Sequence, residues 1–312
     1  MQTQLADFIR DTAAGREAEA ILRKCVHCGF CTATCPTYLL LGDELDGPRG
    51  RIYLIKQVLE GQPVTAKTRT HLDRCLTCRS CETTCPSGVP YGHLLDIGRQ
   101  VMEERLPRTR GEALVRFTLR EVLPRPWLFG PMVKLGQMLR PILPSALADK
   151  LPPETAGAQN PWPEARAHGR RMLVLAGCVQ ESLAPNINAA TARVLDRLGI
   201  TLLTEPRAGC CGAVRFHLND QDGARATMRR NIDAWWPHVA AGIEGIVVTA
   251  SGCGVQVRDY GHALAADPLY RAKAERISAL CRHPAEVPAA ARTRLLPVLE
   301  AVRSARGRIA VH

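Results

Sequence analysis

The sequence predicts an α+β protein in two parts, a helical cysteine-rich region followed by an α/β region. Three observations carry this. One four-cysteine run occurs twice, opening at Cys25 and again at Cys75, and the segment between the copies has helical rather than strand periodicity. From residue 169 onward, short apolar runs alternate with helical stretches, the pattern of a parallel sheet. Between the two parts lies a stretch rich in proline and arginine. The expected division is therefore 1–106, a linker with short helices at 107–168, and an α/β domain over 169–312.

The totals restrict the function classes. A chain of 312 residues with 46% apolar content can bury a sizeable core. The 13 cysteines are odd in number, so complete internal disulfide pairing is impossible. The opening residues MQTQLADFIRDTAAG carry no apolar signal region, which favours metal binding over disulfides. The longest weakly polar run, 242–255, falls short of the roughly 18 apolar residues of a membrane span. The expectation is a cytoplasmic protein that is soluble or peripheral on the inner face of the membrane. The net charge of +11 fits an anionic surface or an acidic partner. Scattered arginines and the lack of a binding module argue against nucleic acid.

The first run is C-x2-C-x2-C-x3-C-P, with Cys25, Cys28, Cys31, Cys35 and Pro36. The second repeats it with Cys75, Cys78, Cys81, Cys85 and Pro86. This spacing matches the pattern that holds [4Fe–4S] clusters. Three thiolates two residues apart can wrap one cubane while backbone N–H groups point at its sulfurs. The fourth cysteine is turned away and ligates the cluster of the other run. Cluster one is thus assigned to Cys25, Cys28, Cys31 and Cys85, and cluster two to Cys75, Cys78, Cys81 and Cys35. Structural zinc sites pair two C-x2-C units around one ion and have no use for the third cysteine of each run. His27, between two ligands, reads as a spacer facing solvent or a residue that tunes the cluster.

The remaining elements follow in order. Residues 4–23 read as a helix. In DGPRGRIYLIKQVLEG (46–61), Asp46 is placed as N-cap, Pro48 in the first turn, and Ile52, Ile55, Val58 and Leu59 on the apolar face. Arg49 and Arg51 fall near cluster two on this scheme, either offsetting its charge, docking a partner, or lying on the surface. Helices are expected at 64–74 and 91–106. In the linker, dense proline should prevent long helices. Its Trp127, Leu128, Phe129, Met132 and Val133 sit beside Arg120, Arg125 and Lys134, a composition for packing on the second domain or lying on a membrane surface. Strands are expected at 170–178, 200–204 and 245–250, with helices at 185–199, at 222–241 and after 254.

A second cysteine set falls at the ends of these strands. Cys178 follows the first, Cys210 and Cys211 the second, and Cys253 the third. In open α/β sheets ligands bind at the carboxyl ends of strands, so the four can converge on one crevice. A further iron–sulfur cluster, zinc or reactive thiols are the candidate occupants. Small buried cysteines filling space is the bland alternative. Cys281 lies outside the pattern.

The two cysteine runs, PRGRIYLIK (48–56), CCGAVRFHLND (210–220), NIDAWWPHV (231–239) and VVTASGCGVQVRDYGHAL (247–264) resemble the glycolate oxidase iron–sulfur subunits. These are relatives of lactate-utilisation and heterodisulfide-reductase proteins with cysteine-rich CCG domains. The resemblance implies a helical ferredoxin-like domain with two [4Fe–4S] clusters followed by an α/β CCG domain. It also implies an oxidoreductase complex in which an FAD-binding partner subunit oxidises glycolate to glyoxylate, and this chain passes electrons toward quinone or another acceptor without activity of its own. A lactate-utilisation or heterodisulfide-reductase-like subunit acting at its cysteine-rich site is the alternative. Two departures from the family stand out. Only Cys253 occupies a place where related reductases have C-x-x-C. RGRIAVH (306–312) also resembles the strand opening at 170, and a second repeat would start there. On that reading the repeat is missing, leaving a less stable second domain with an exposed edge.

Overall fold

The computed structural model describes residues 1–149, 151, 162–163 and 168–287. The chain divides into two compact units, Met1–Val115 and Arg116–His312. The RGRIAVH stretch at 306–312 lies outside the described residues.

The first unit is helical throughout its described secondary structure. Helix α1 (Asp7–Arg10) leads into α2 (Ala13–Lys24), so the expected helix over 4–23 is two. The Thr12 hydroxyl accepts the Gly15 N–H at 2.9 Å and starts α2 afresh. After the first cysteine run come α3 (Pro36–Leu41), α4 (Pro48–Leu59) and α5 (Ala66–Asp73). The second run contains α6 (Ser80–Thr84) and is followed by α7 (Tyr91–Arg105). Ile52, Ile55, Val58 and Leu59 on α4 bury against Leu22, Leu72, Leu94 and Leu95 from α2, α5 and α7. This apolar face is what places the two cysteine runs side by side.

Asp46 does not cap α4. The N-cap is Gly47, with no side-chain bond, and Asp46 is wholly buried. Its carboxylate instead meets His71 Nδ1 at 3.0 Å, Arg74 at 2.9 Å and Arg51 at 3.4 Å. Three cationic or hydrogen-bonding partners, two of them more than twenty residues away, outcompete the local capping bond.

The linker forms longer helices than its proline content suggests, α8 (Arg110–Val122), α9 (Pro126–Leu139) and the short α10 (Ser145–Ala148). Pro107, Pro124 and Pro144 fall between helices and Pro126 sits at a helix start, where no N–H is needed. Among the described linker residues, Pro131 alone lies inside an α-helix beyond its first turn. Within the second unit α9 packs on α11 (Gln180–Leu183) and buries Val133, while Trp127 stays exposed.

The second unit holds a four-stranded parallel sheet in the order β2-β1-β3-β4, from β1 (Arg170–Val174), β2 (Ile200–Thr204), β3 (Ile246–Val247) and β4 (Cys281–Arg282). Helices cover both faces. Met172, Val174, Ile200 and Leu202 meet α12 (Asn186–Arg197) on one side. Leu173 and Ile246 on the other side meet α14 (Gln221–Ala240), α15 (Ser251–Arg258) and α17 (Arg271–Leu280). Two short helices, α13 (Ala213–His217) and α16 (Tyr260–Ala263), complete the order.

Candidate functional site

The two cysteine runs fold alike. His27 and Gly29 have φ of 59° and 88°, and the positions fifty residues on, Thr77 and Arg79, have 53° and 57°. Left-handed residues at alternate positions coil the backbone into a concavity whose N–H groups can converge on an anion. Glycine supplies one of the four; Thr77 and Arg79 adopt the conformation against their own preference. Pro36 starts α3 just after Cys35, which fixes the exit from the first run.

Two neighbouring cavities result. One, of about 430 Å³ empty volume, is lined by Cys25, Cys28, Cys31 and Cys85. The other, of about 290 Å³, is lined by Cys35, Cys75, Cys78 and Cys81. Each is lined by thiols from both runs, with Cys81 added at the first. Cys81, Pro48 and Tyr91 line both. Burial pushes the Cys31 thiol up to about 11 and raises Cys25 and Cys81 as well. Such thiols ionise only when iron or another metal takes up the charge.

The arginines separate between the cavities. Arg49 lines the first, with its Nε 2.6 Å from Glu44, and not the second as the sequence scheme had it. Arg51 lines the second and is fully buried, so it is no surface residue. It donates to the His71 carbonyl at 2.7 Å and to Thr37 Oγ1 at 3.0 Å, and its Nη1 lies 4.0 Å from Cys35 Sγ. His27 is half-buried, with Nε2 3.2 Å from the Arg49 carbonyl, and ties the first run to α4.

The later cysteines also meet. Cys178, Cys210 and Cys211 are buried and Cys253 is half-buried in the first turn of α15. Their thiols act on one another in the order 178, 210, 211, 253. Donation from Cys178 and Cys211 holds Cys210 well below the ordinary thiol range, and pushes the donors up. Asn231 Nδ2, fully buried on α14, donates to the Cys210 carbonyl at 2.7 Å, and Tyr260 Oη to the Cys211 carbonyl at 2.9 Å. Gly212 at φ 92° turns the chain out of the loop. Cys281 stands apart, its thiol directed to the Gly254 carbonyl at 3.7 Å.

Among the described residues, no three cysteine sulfurs lie within 4.8 Å of one another. Zn–S bonds of about 2.3 Å would place four tetrahedral sulfurs roughly 3.8 Å apart. A cubane carries its thiolates on separate corner irons, which thiols from the two runs around each N-terminal cavity could supply. The neighbouring thiols of Cys178, Cys210, Cys211 and Cys253 suit an iron–sulfur cluster, zinc or free thiols at the third.

Comparison with known proteins agrees with this division. A family model described as a 4Fe-4S dicluster domain matches residues 21–89, and one described as a Cysteine-rich domain matches 172–258. The chain is 60% identical over 280 residues to the "Glycolate oxidase iron-sulfur subunit" of Escherichia coli (strain K12), covering 90% of this chain and 68% of that protein. The chain belongs to the glycolate oxidase iron–sulfur subunit family. A "Probable glycolate oxidase iron-sulfur subunit" of Bacillus subtilis (strain 168) is 30% identical, covering 83% of this chain and 63% of that protein. "Lactate utilization protein A" of Bacillus cytotoxicus is 23% identical over 35% of this chain. No solved structure matches. Glycolate oxidase relatives thus span both cysteine regions, whereas the lactate-utilisation likeness is distant and local.

Sequence reading missed Tyr91, Asn231 and Tyr260 as site residues. Tyr91 donates to Cys75 Sγ at 3.6 Å, and burial keeps its phenol protonated. No local motif marks these residues. The one sequence signal for Asn231 is a polar residue beside the apolar Ile232, Ala234 and Trp235 on one helix.

Proposed function

We propose that this chain is the electron-transfer subunit of a glycolate-oxidising complex. An FAD-binding partner subunit oxidises glycolate to glyoxylate, and electrons leave through this chain toward quinone or another acceptor. The observation that carries the reading is the pair of adjacent four-thiol cavities sharing Cys81, Pro48 and Tyr91 as a common wall. A [4Fe–4S] cluster, when bound, takes up and releases one electron at a time. Cys25, Cys28, Cys31 and Cys85 hold one such group and Cys35, Cys75, Cys78 and Cys81 the other. The chain's own part is to keep the two centres close, to shield them with Ile52, Val89 and Tyr91, and to present backbone N–H groups to them. Cys178, Cys210, Cys211 and Cys253 hold a further iron–sulfur group in the second unit.

No described helix is long and apolar enough to cross a membrane. The proposed location is the cytoplasm, peripheral on the inner face of the membrane. The exposed Trp127, Met132 and Met138 on α9, beside Arg125 and Lys134, support it.

Iron and acid-labile sulfide on anaerobically purified protein, with EPR of the reduced form, test the reading. At least about eight iron per chain, with two interacting [4Fe–4S] signals, is the expected result, and iron beyond eight belongs to the group in the second unit. Zinc in place of iron would overturn it.

A further inference from the structure

We propose that the centre held by Cys35, Cys75, Cys78 and Cys81 is the higher-potential member of the pair, set so by Arg51 and Tyr91, and that electrons therefore run toward it from the centre held by Cys25, Cys28, Cys31 and Cys85. The inference rests on the two-cluster reading above.

The two thiol sets differ in what reaches their sulfurs. Tyr91 Oη donates to Cys75 Sγ at 3.6 Å, and the Arg51 guanidinium lies 4.0 Å from Cys35 Sγ. The Thr37 hydroxyl, itself bonded by Arg51, lies 3.2 Å from the same sulfur. None of Cys25, Cys28, Cys31 or Cys85 receives a side-chain hydrogen bond at sulfur from a described residue. The Met1 ammonium bonds the Cys25 carbonyl at 2.8 Å and favours the Cys25 anion through space, without a hydrogen bond to its sulfur. Arg49, the guanidinium beside the first cavity, is half-exposed and neutralised by Glu44. Arg51 shares the single carboxylate of Asp46 with Arg74. The second cavity therefore has a fully buried guanidinium beside a ligand sulfur, and the carboxylate that balances it is drawn in part toward the half-exposed Arg74.

Reduction adds one negative charge to a centre that is already anionic. Donors to ligand sulfurs and an adjacent buried cation favour the reduced form and raise the potential. A cation without water around it acts more strongly than one in solvent. An electron entering at the first site then passes to the second: one centre is oxidised as the other is reduced, and no proton is required. Tyr91 and Arg51 are positioning residues for this transfer, since they act through the thiolates.

The test is an EPR-monitored redox titration of the purified, iron-loaded chain. Cys28→Ser identifies the signal of the first centre by perturbing it. In Tyr91→Phe the midpoint potential of the other signal should fall while the first stays in place. Arg51→Gln should lower the same potential, and Arg51→Lys, which keeps the charge, should lower it less. The proposal is overturned if the higher potential belongs to the signal that Cys28→Ser perturbs, or if Tyr91→Phe loads two centres and moves neither potential. Should the Arg51 variants fail to hold iron, Tyr91→Phe decides alone, because it removes one oxygen from a ring of unchanged shape. A wild-type chain without two [4Fe–4S] signals would instead overturn the two-cluster reading itself.

Discussion

Asn231 lies wholly inside the second unit, yet each of its polar atoms has a partner. Its Oδ1 accepts the Gly209 N–H at 3.2 Å, and its Nδ2 donates to the Cys210 carbonyl and to Tyr260 Oη at 3.0 Å. It is the post on which the 209–212 loop hangs. Asn231→Ala leaves buried backbone groups unpaired, and each costs about 1–3 kcal/mol. The variant should unfold at lower temperature and lose whatever group the Cys210 loop holds. Tyr260→Phe removes one bond to Cys211, at a cost of about 1 kcal/mol. A calorimetric scan that finds the two variants equally stable would contradict this ranking. Asn231 was invisible in the sequence because its partners lie 21 and 29 residues away. The cysteines were legible because the ligand spacing is written along one short stretch.

At the scale of elements, the approach of α4 to the preceding turn is close enough to be tested. A Cβ on Gly50 would stand 2.2 Å from the Glu44 carbonyl oxygen, a rigid backbone atom. Gly50→Ala must therefore push α4 away from residues 44–46, at roughly 1–3 kcal/mol. Because Arg49 and Arg51 flank Gly50, less iron should be retained per chain after desalting. The segment leaving β2 offers a pH test. A hydrogen bond from Arg207, opposed by burial and reinforced by His238, holds Glu205 down at about 2. An unfolded glutamate titrates near about 4.3. The folded pKa is the lower one, so the stabilisation is complete above the unfolded value and disappears as pH falls toward the folded one. Between these pH values wild-type stability should fall more steeply than that of Glu205→Gln, as read from urea midpoints. The long helices α8 and α9 show the reverse of legibility. Counting prolines suggested short segments, but a proline's effect depends on its place in the helix, and here most mark the gaps.

At the scale of the whole molecule, the two units depend on their thiols differently. In the first, Thr77 and Arg79 hold left-handed conformations that ligation of the second run would enforce. In the second, four parallel strands and helices on both faces make a core that needs no metal to cohere. Removing iron by chelation under reducing conditions should release amide exchange protection at 25–35 and 75–85 while leaving the interior of α14 protected. Equal loss of protection in both units would count against this. Metal binding of this kind is folding free energy for the segments that carry the ligands.

The sequence alone settled the chemistry of the ligands and the class of each region. Cysteine spacing, the helical period of 46–61 and the strand–helix alternation after 169 are local patterns, and short-range geometry suffices to read them. Only the tertiary structure decided which arginine meets which cavity, that Asp46 serves an ion network instead of a helix end, that Tyr91 stands between the two thiol sets, and that Asn231 and Tyr260 hold the loop carrying Cys210 and Cys211. Each of these depends on packing between segments tens of residues apart. The free energy is set there by burial and by competing partners, and no local pattern encodes that competition.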